Sequence, residues 1–130
     1  MDDVVFVDSC IWASFFAKPH SIQKKAVDAL IDVDRVAIIG PVVTEVLLGF
    51  RRVEYADWVF SFLLSAHYVQ LSLHDWRAAA SLGRRLAAQG HKLPLADLAI
   101  VAVAQRLNAF VFSTDPHFDL ISDLKRFSSD

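Results

Sequence analysis

Four carboxylates occupy positions from which a chain of alternating strands and helices would bring them together. Asp8 follows the apolar run Asp3–Val7, and Glu45 comes soon after a second run that stops at Gly40-Pro41. Asp97 stands three residues beyond Pro94, and Asp115 follows the run Ala109–Ser113. Clustered negative charges repel, and unless protonated or neutralised they destabilise the fold that gathers them. A divalent cation resolves the conflict. Oxygen ligands with no His or Cys among them select Mg2+ or Mn2+ over zinc. Such an ion makes hydroxide available near neutral pH, orients a phosphodiester and stabilises charge on the leaving oxygen. Each acid alone has a plainer use, because carboxylates at strand ends and in first helical turns act as caps and complement the helix dipole. The joint pattern favours the site, since three of the four have a hydroxyl neighbour: Ser9 beside Asp8, Thr44 beside Glu45, and Thr114 beside Asp115.

The elements that must position these residues follow from the apolar spacing. Asp3–Val7, Arg35–Ile39, Tyr68–Leu71 and Ala109–Ser113 are expected as strands, apolar and without strict alternation. Ile11–Phe16 predicts one or two helical turns, broken by Lys18-Pro19-His20. Ser21 is the expected N-cap of a helix to about Val33, with Ile22, Ala26, Ala29, Leu30 and Val33 at helical spacing. A short helix from about Thr44 to Gly49 would put Glu45 in its first turn, and Tyr55–Ser65 is a helix apolar nearly all round. Ser72 to Asp75 matches a capping box opening a helix that stops at Gly90, and another helix runs from Pro94 to about Leu107. The polar tail, Asp119–Asp130, has room for a helical turn and a short edge strand around Lys125-Arg126-Phe127. Apolar strands separated by helices imply an α/β domain whose parallel sheet is covered on both faces. All strand C-termini then share one edge, where ligand crevices of open α/β sheets lie. Asp8 and Asp115 should meet at that rim, with Glu45 and Asp97 joining from nearby helices.

The chain has 130 residues, 55% of them apolar, including ten Phe. That length suits a single domain spanning 1–130 with a core of its own. No apolar run approaches the length of a membrane span. Met1-Asp2-Asp3 lacks the basic start of a signal peptide, and the single cysteine, Cys10, permits no intrachain disulfide. The expectation is a cytoplasmic protein. The charge balance, 13 basic against 15 acidic residues, argues at first against a nucleic-acid partner. Setting the quartet aside leaves 11 acidic against 13 basic, so the remainder of the molecule is positive. Lys24, Lys25, Arg84, Arg85, His91 and Lys92 are among the candidate phosphate contacts. Arg51 and Arg52, just after Gly49 near the expected rim, are better placed.

These residues resemble the PIN domain family, and within it the VapC-type toxins of bacterial toxin–antitoxin pairs. Val7-Asp8-Ser9 resembles the family's opening hydrophobic-Asp-Ser/Thr motif, and Thr44-Glu45-Val46 with Gly49 its second. Gly90 through Pro94, then Asp97-Leu98-Ala99-Ile100 and Ala102, is similar to the third. Ser113-Thr114-Asp115-Pro116-His117-Phe118 resembles the fourth, a T-x-D-x-H-F pattern. The resemblance is ordered and spans almost the whole chain. It implies a three-layer α/β/α sandwich around a parallel sheet of four to five strands, and an Mg2+- or Mn2+-dependent endoribonuclease acting as a toxin. Asp8, Glu45, Asp97 and Asp115 would be its acidic quartet, with Asp8 and Asp97 the firmest metal ligands. Thr114, with Ser9, would support the rim through its hydroxyl. Homodimerisation and a small antitoxin that blocks the site are further implications. Pro116 departs from the pattern, and Asp119 is an additional acid.

A helix apolar on all sides cannot bury everything in a domain this small, so some of the aromatic surface should meet another chain. Trp12, Phe15 and Phe16, close to Asp8, and Trp58 are the candidates for such a groove. Two other function classes compete with the nuclease. One is a PIN-like scaffold that binds RNA or protein without turnover, which a cleavage assay with and without a chelator would separate. The other is a receiver-type signalling module. It needs an acid pair beside its phospho-acceptor and a Lys at the last strand end. Here Asp2-Asp3 precede the first strand and Asp115 stands where the Lys is wanted.

Overall fold

The computed structural model describes residues 3–129. Asp2, half of the acid pair weighed above, and Asp130, the last residue of the tail, lie outside the described residues. Four short strands form the centre: β1 (Val5–Val7), β2 (Val36–Ile38), β3 (His67–Tyr68) and β4 (Phe110–Phe112). All pair in parallel, in the order β3-β2-β1-β4. Every residue of β1 and β2 is buried, which is why both appear as unbroken apolar runs. The chain leaves β1 toward β2 and β3, then returns to the other side of β1 for β4. The strand order therefore reverses between β1 and β4, the position at which open α/β sheets bind ligands.

Among the described residues six α-helices cover the sheet: α1 (Ser9–Ala17), α2 (Ile22–Asp32), α3 (Gly40–Leu48), α4 (Val53–Leu63), α5 (Leu73–Ala88) and α6 (Leu95–Arg106). The result is a three-layer α/β/α arrangement. None of these helices is long and apolar enough to cross a membrane. The tail contributes a 3-10 helix, Pro116–Leu120, and one parallel bridge between Arg126 and Val111. In that bridge the Val111 N–H donates to the Lys125 carbonyl and the Phe127 N–H to the Val111 carbonyl, both at 2.9 Å. The edge strand expected around Lys125-Arg126-Phe127 is this single bridge. Asp119 pairs with Arg126 at 2.9 Å, and Arg126 also donates to the Ser113 carbonyl at 3.0 Å. The additional acid thus helps to fasten the tail beside β4.

Two helical expectations need correction. Gly40-Pro41 opens α3 instead of leaving a loop, because a proline in the first turn sacrifices no hydrogen bond. The helix starts four residues before Thr44, so Glu45 lies in its second turn. In α2, Ser21 caps as expected, accepting from the Lys24 N–H at 3.1 Å, but the buried residues are Val27 and Leu30. Ile22 and Val33, at the two ends of the helix, are exposed.

The aromatic residues also distribute differently. Trp12 and Phe15 are buried within this chain, so neither lines an open groove. They belong to an aromatic cluster that joins α1 to α4. Phe15 meets Phe62 with ring centroids 5.1 Å apart, and Phe16 lies 5.6 Å from Phe62 and 5.9 Å from Trp58. The two Phe16 contacts are edge-to-face and the Phe15–Phe62 contact is tilted; edge-to-face pairs add about 0.5–1.5 kcal/mol each beyond area burial. Phe16 remains half-buried, whereas Trp58 is 60% exposed. The expectation that α4 cannot bury all its apolar residues holds, since Tyr55, Trp58 and Phe60 are exposed.

Helix α5 shows how one local motif supports the architecture. The Ser72 hydroxyl accepts from the Asp75 N–H at 3.1 Å, and the Asp75 carboxylate accepts from the Ser72 N–H at 2.9 Å. The same buried carboxylate receives two hydrogen bonds from Arg106, at 2.7 and 2.9 Å. The Arg106 bonds and the cap hold the Asp75 carboxyl below the ordinary carboxylate range. One side chain therefore closes the cap of α5 and locks the last turn of α6. Asp75→Ala is expected to destabilise the fold by about 2–4 kcal/mol, the sum of a lost cap and a charged hydrogen-bond pair. Equilibrium urea denaturation at neutral pH checks this.

Candidate functional site

Asp8 is the first residue past β1, and Val7 is in register with Phe112 of β4. The Asp8 N–H continues the ladder to the Phe112 carbonyl at 3.0 Å. The next side chains in register are Asp8 and Ser113, and neighbours in a parallel pair lie side by side. The Ser113 hydroxyl accordingly donates to Asp8 Oδ2 at 2.8 Å, and its oxygen accepts the Asp115 N–H at 3.0 Å. The hydroxyl in direct contact with Asp8 is therefore that of Ser113, and Thr114 reaches the same rim only through Cys10. The Cys10 thiol lies 3.4 Å from the Ser113 hydroxyl. Thr114 is exposed, and its hydroxyl lies 3.6 Å from the Cys10 thiol. That thiol also stands 3.5 Å from Asp8 Oδ2.

Capping does not explain Asp8 or Asp97. Asp8 holds the N-cap position of α1 but makes no capping hydrogen bond with its side chain. Asp97 lies in the first turn of α6, where Pro94 is the N-cap, and its carboxylate turns to His117 Nδ1 at 2.9 Å. Asp115 is different, because its Oδ1 caps the 3-10 helix by accepting the His117 N–H at 2.9 Å. The same oxygen is 3.2 Å from His117 Nδ1. Asp8, Asp97 and Asp115 thus converge around Ser113 and His117. The sequence reading did not assign roles to Ser113 and His117. The signal for Ser113 was its place at the end of the run Ala109–Ser113, and for His117 its place two residues after Asp115. Both stand inside the fourth quoted motif.

Glu45 occupies a different wall. It is exposed and lines a cavity of about 410 Å3 with Ser9, Cys10, Ala13, Phe16 and Phe50. The cavity reaches the acid cluster through Cys10, which touches Asp8. Among the described residues no hydrogen bond or ion pair joins Glu45 to the other three acids. Thr44, also exposed, lines a separate pocket with Phe60, Leu64 and Tyr68. Arg51 and Arg52 are exposed, and Arg52 lies 3.3 Å from Glu54.

The cluster is electrostatically tense. Burial pushes the Asp97 carboxyl up to about 6, the charges of Asp8 and Asp115 push the same way, and the His117 hydrogen bond only partly offsets them. His117 is raised by its bond to Asp97 and by the negative charges of Asp115, Asp97 and Asp8. Asp8 Oδ1 is buried with no hydrogen-bond partner. Asp97, Asp115 and His117 each place one ligand atom within 4.8 Å of the others. A set of hard oxygens with an unpaired buried carboxylate oxygen fits a divalent cation. The N-termini of α1 and α6, which carry Asp8 and Asp97, add partial positive charge.

The PIN domain family profile matches residues 5–124. No curated protein sequence matches the chain. Among solved structures the chain is similar to VapBC2 from Rickettsia felis, bound to a DNA fragment from its promoter. The identity is 19% and the TM-score 0.81, over 95% of this chain and 97% of that one. VapBC-1 from nontypeable Haemophilus influenzae gives 18% and 0.80, over 97% and 98%. A toxin–antitoxin complex from Klebsiella pneumoniae gives 20% and 0.76, over 98% of each chain. At these identities the likeness establishes the fold.

The raised Asp97 value has a consequence for metal-free protein. A carboxyl moved from 3.8 to about 6 holds its proton more tightly folded than unfolded, so stability falls as pH rises across that window. His117 acts in the same sense: its contribution is full below the unfolded value of 6.5 and is lost as pH rises through its higher folded value. Asp97→Asn should raise the melting temperature at pH 7 in chelator and flatten its decline between pH 4 and 6. Differential scanning fluorimetry across that range measures both effects.

Proposed function

The chain belongs to the PIN domain family, and from that premise we propose that it is a divalent-metal-dependent endoribonuclease, the toxin of a toxin–antitoxin pair. The observation that carries this reading is the convergence of Asp8, Asp97 and Asp115 at the strand-order reversal, with one buried oxygen of Asp8 left unpaired. Asp8, Asp97 and Asp115 would hold Mg2+ or Mn2+, and Glu45, lining the adjoining cavity, would orient water or complete the ligand set. When bound, the ion supplies positive charge against the phosphate oxygens and makes hydroxide available near neutral pH.

The remaining work falls to the chain's own side chains. Ser113 holds Asp8 by one oxygen and leaves the second, buried and unpaired, for the ion. Buried Asp97 cannot swing out of α6, whose inner face is packed against the core. Glu45, exposed on α3, is free to accept a proton from water at the cavity mouth. Arg51 and Arg52, just past Gly49 at the cavity wall, are placed to neutralise flanking phosphates of an RNA strand. For a partner, the fold likeness to the Klebsiella pneumoniae toxin–antitoxin complex supports a cognate antitoxin. The exposed apolar side of α4, with Trp58 and Phe60, offers surface for it or for a second copy of the chain. The lone cysteine suits a reducing cytoplasm.

Purified protein is expected to cut RNA with Mn2+ or Mg2+ and to stop in EDTA. Asp8→Asn and Asp97→Asn should each lower the rate by at least about 100-fold, the scale of losing a group that positions charge for the transition state. Full activity of Asp97→Asn would defeat the nuclease reading. Retained RNA binding with no cleavage under any metal would leave a binding scaffold. Mapped cleavage ends in total RNA after brief expression would identify the substrate.

A further inference from the structure

Resting on the reading of the acid cluster as a divalent-cation centre, we propose that a ring nitrogen of His117 is a direct ligand of that cation. The centre would then take a first-row transition ion, with Mn2+ as the probe, in preference to Mg2+. The preference for Mg2+ or Mn2+ drawn from the sequence assumed that no histidine stood among the acids. The fold removes that assumption. His117 Nδ1 lies 2.9 Å from Asp97 Oδ2 and 3.2 Å from Asp115 Oδ1. One donor atom from each of the three lies within 4.8 Å of the others. Neighbouring ligands around a small octahedral ion are about 3 Å apart and opposite ones about 4 Å, for bonds of about 2.1 Å. The 2.9 and 3.2 Å separations of His117 Nδ1 from Asp97 and Asp115 match neighbouring donors of one ion's shell.

The backbone at His117 is fixed on both sides. Its N–H is held by Asp115, and the next residue, Phe118, is fully buried. Its side chain, 40% exposed, points at the acids although no apolar packing requires it. A purely internal counter-charge would leave the account incomplete. The ring pairs with Asp97 and Asp115, while Asp8 Oδ1 stays buried with no partner. Asp8 is not one of the three donors, but it is tied to them through Ser113, whose hydroxyl donates to Asp8 and whose oxygen accepts the Asp115 N–H. Imidazole nitrogen suits first-row transition ions, Mn2+ the least strongly of them, whereas Mg2+ prefers oxygen ligands and retained water.

The experiment uses the full chain, stripped of metal, with His117→Ala, His117→Gln and Asp97→Asn for comparison. Mn2+ uptake is followed by electron paramagnetic resonance, Mg2+ competition gives the ratio of affinities, and electron spin-echo measurement detects nitrogen coupled to bound Mn2+. Circular dichroism checks folding. The wild-type protein should show a directly coupled nitrogen that both His117 variants lose. Mn2+ affinity should fall by about tenfold or more in those variants, the smallest loss usual for disturbing even an outer partner of a metal site. Mg2+ affinity should change much less. The proposal is overturned if wild-type Mn2+ shows no nitrogen coupling, or if His117→Ala binds Mn2+ as tightly or more tightly, as removal of a mere counter-charge would allow. Loss of Mn2+ binding in Asp97→Asn but not in His117→Ala sinks this inference and leaves the cation centre standing. No Mn2+ uptake by the wild-type chain, or uptake indifferent to Asp97→Asn, sinks both.

Discussion

Carboxylates gathered at one end of a sheet have to be kept from driving each other into solvent, and most of this molecule can be understood through how it meets that demand. The repulsion is not relieved inside the chain. Asp97 is held near a proton by burial and by two like charges, and His117 compensates for only part of it. What holds the acids in place is strand pairing and packing. Asp8 and Ser113 are neighbours because β1 and β4 are in register, and their hydrogen bond would be lost on any slip of one residue. An arrangement unfavourable in isolation persists because the sheet geometry leaves it no alternative.

Helix α6 transmits this constraint. Its first turn carries Asp97, its last turn carries Arg106, and between them Ala99, Ile100, Val101, Val103 and Ala104 are buried. Small residues along the helix allow close approach to the sheet and to α5, so the helix has little freedom to slide. The bidentate pair between Arg106 and Asp75 ties its far end to the cap of α5. The site at one end and the structural ion pair at the other therefore share one rigid element. Charge is managed differently at the two ends. Asp75 is fully answered by donors, whereas one oxygen of Asp8 is not.

The aromatic cluster between α1 and α4 has a comparable role on the other side. Trp12 and Phe15 fill the interior and Phe62 bridges toward α4, so the helix that begins at Ser9 is set firmly against its neighbour. Phe16 and Trp58 continue the same cluster outward to the surface. Core and accessible apolar face are thus continuous, and a partner covering Trp58 would extend packing already present.

Much was legible from residue order alone. The parallel α/β class, the capping box at Ser72 and the gathering of Asp8, Asp97 and Asp115 follow from local apolar spacing and from the rule that parallel strands end at one edge. These are short-range or topological facts, and neither depends on side-chain rotamers. The start of α3 is not legible in this way, because proline reads as a breaker but is welcome in a first turn. Other features needed the tertiary structure. Only packing decides that Trp12 is interior while Trp58 is exposed, since both are aromatic residues on apolar helices. Strand register decides that Ser113 and not Thr114 meets Asp8. Whether His117 joins the acids depends on where a 3-10 turn places its ring relative to a helix twenty residues earlier in the chain. Residue type and spacing determined which groups were available for chemistry. Register and packing decided which of them touch, because hydrogen bonds and charge interactions act over a few ångströms that sequence distance does not encode.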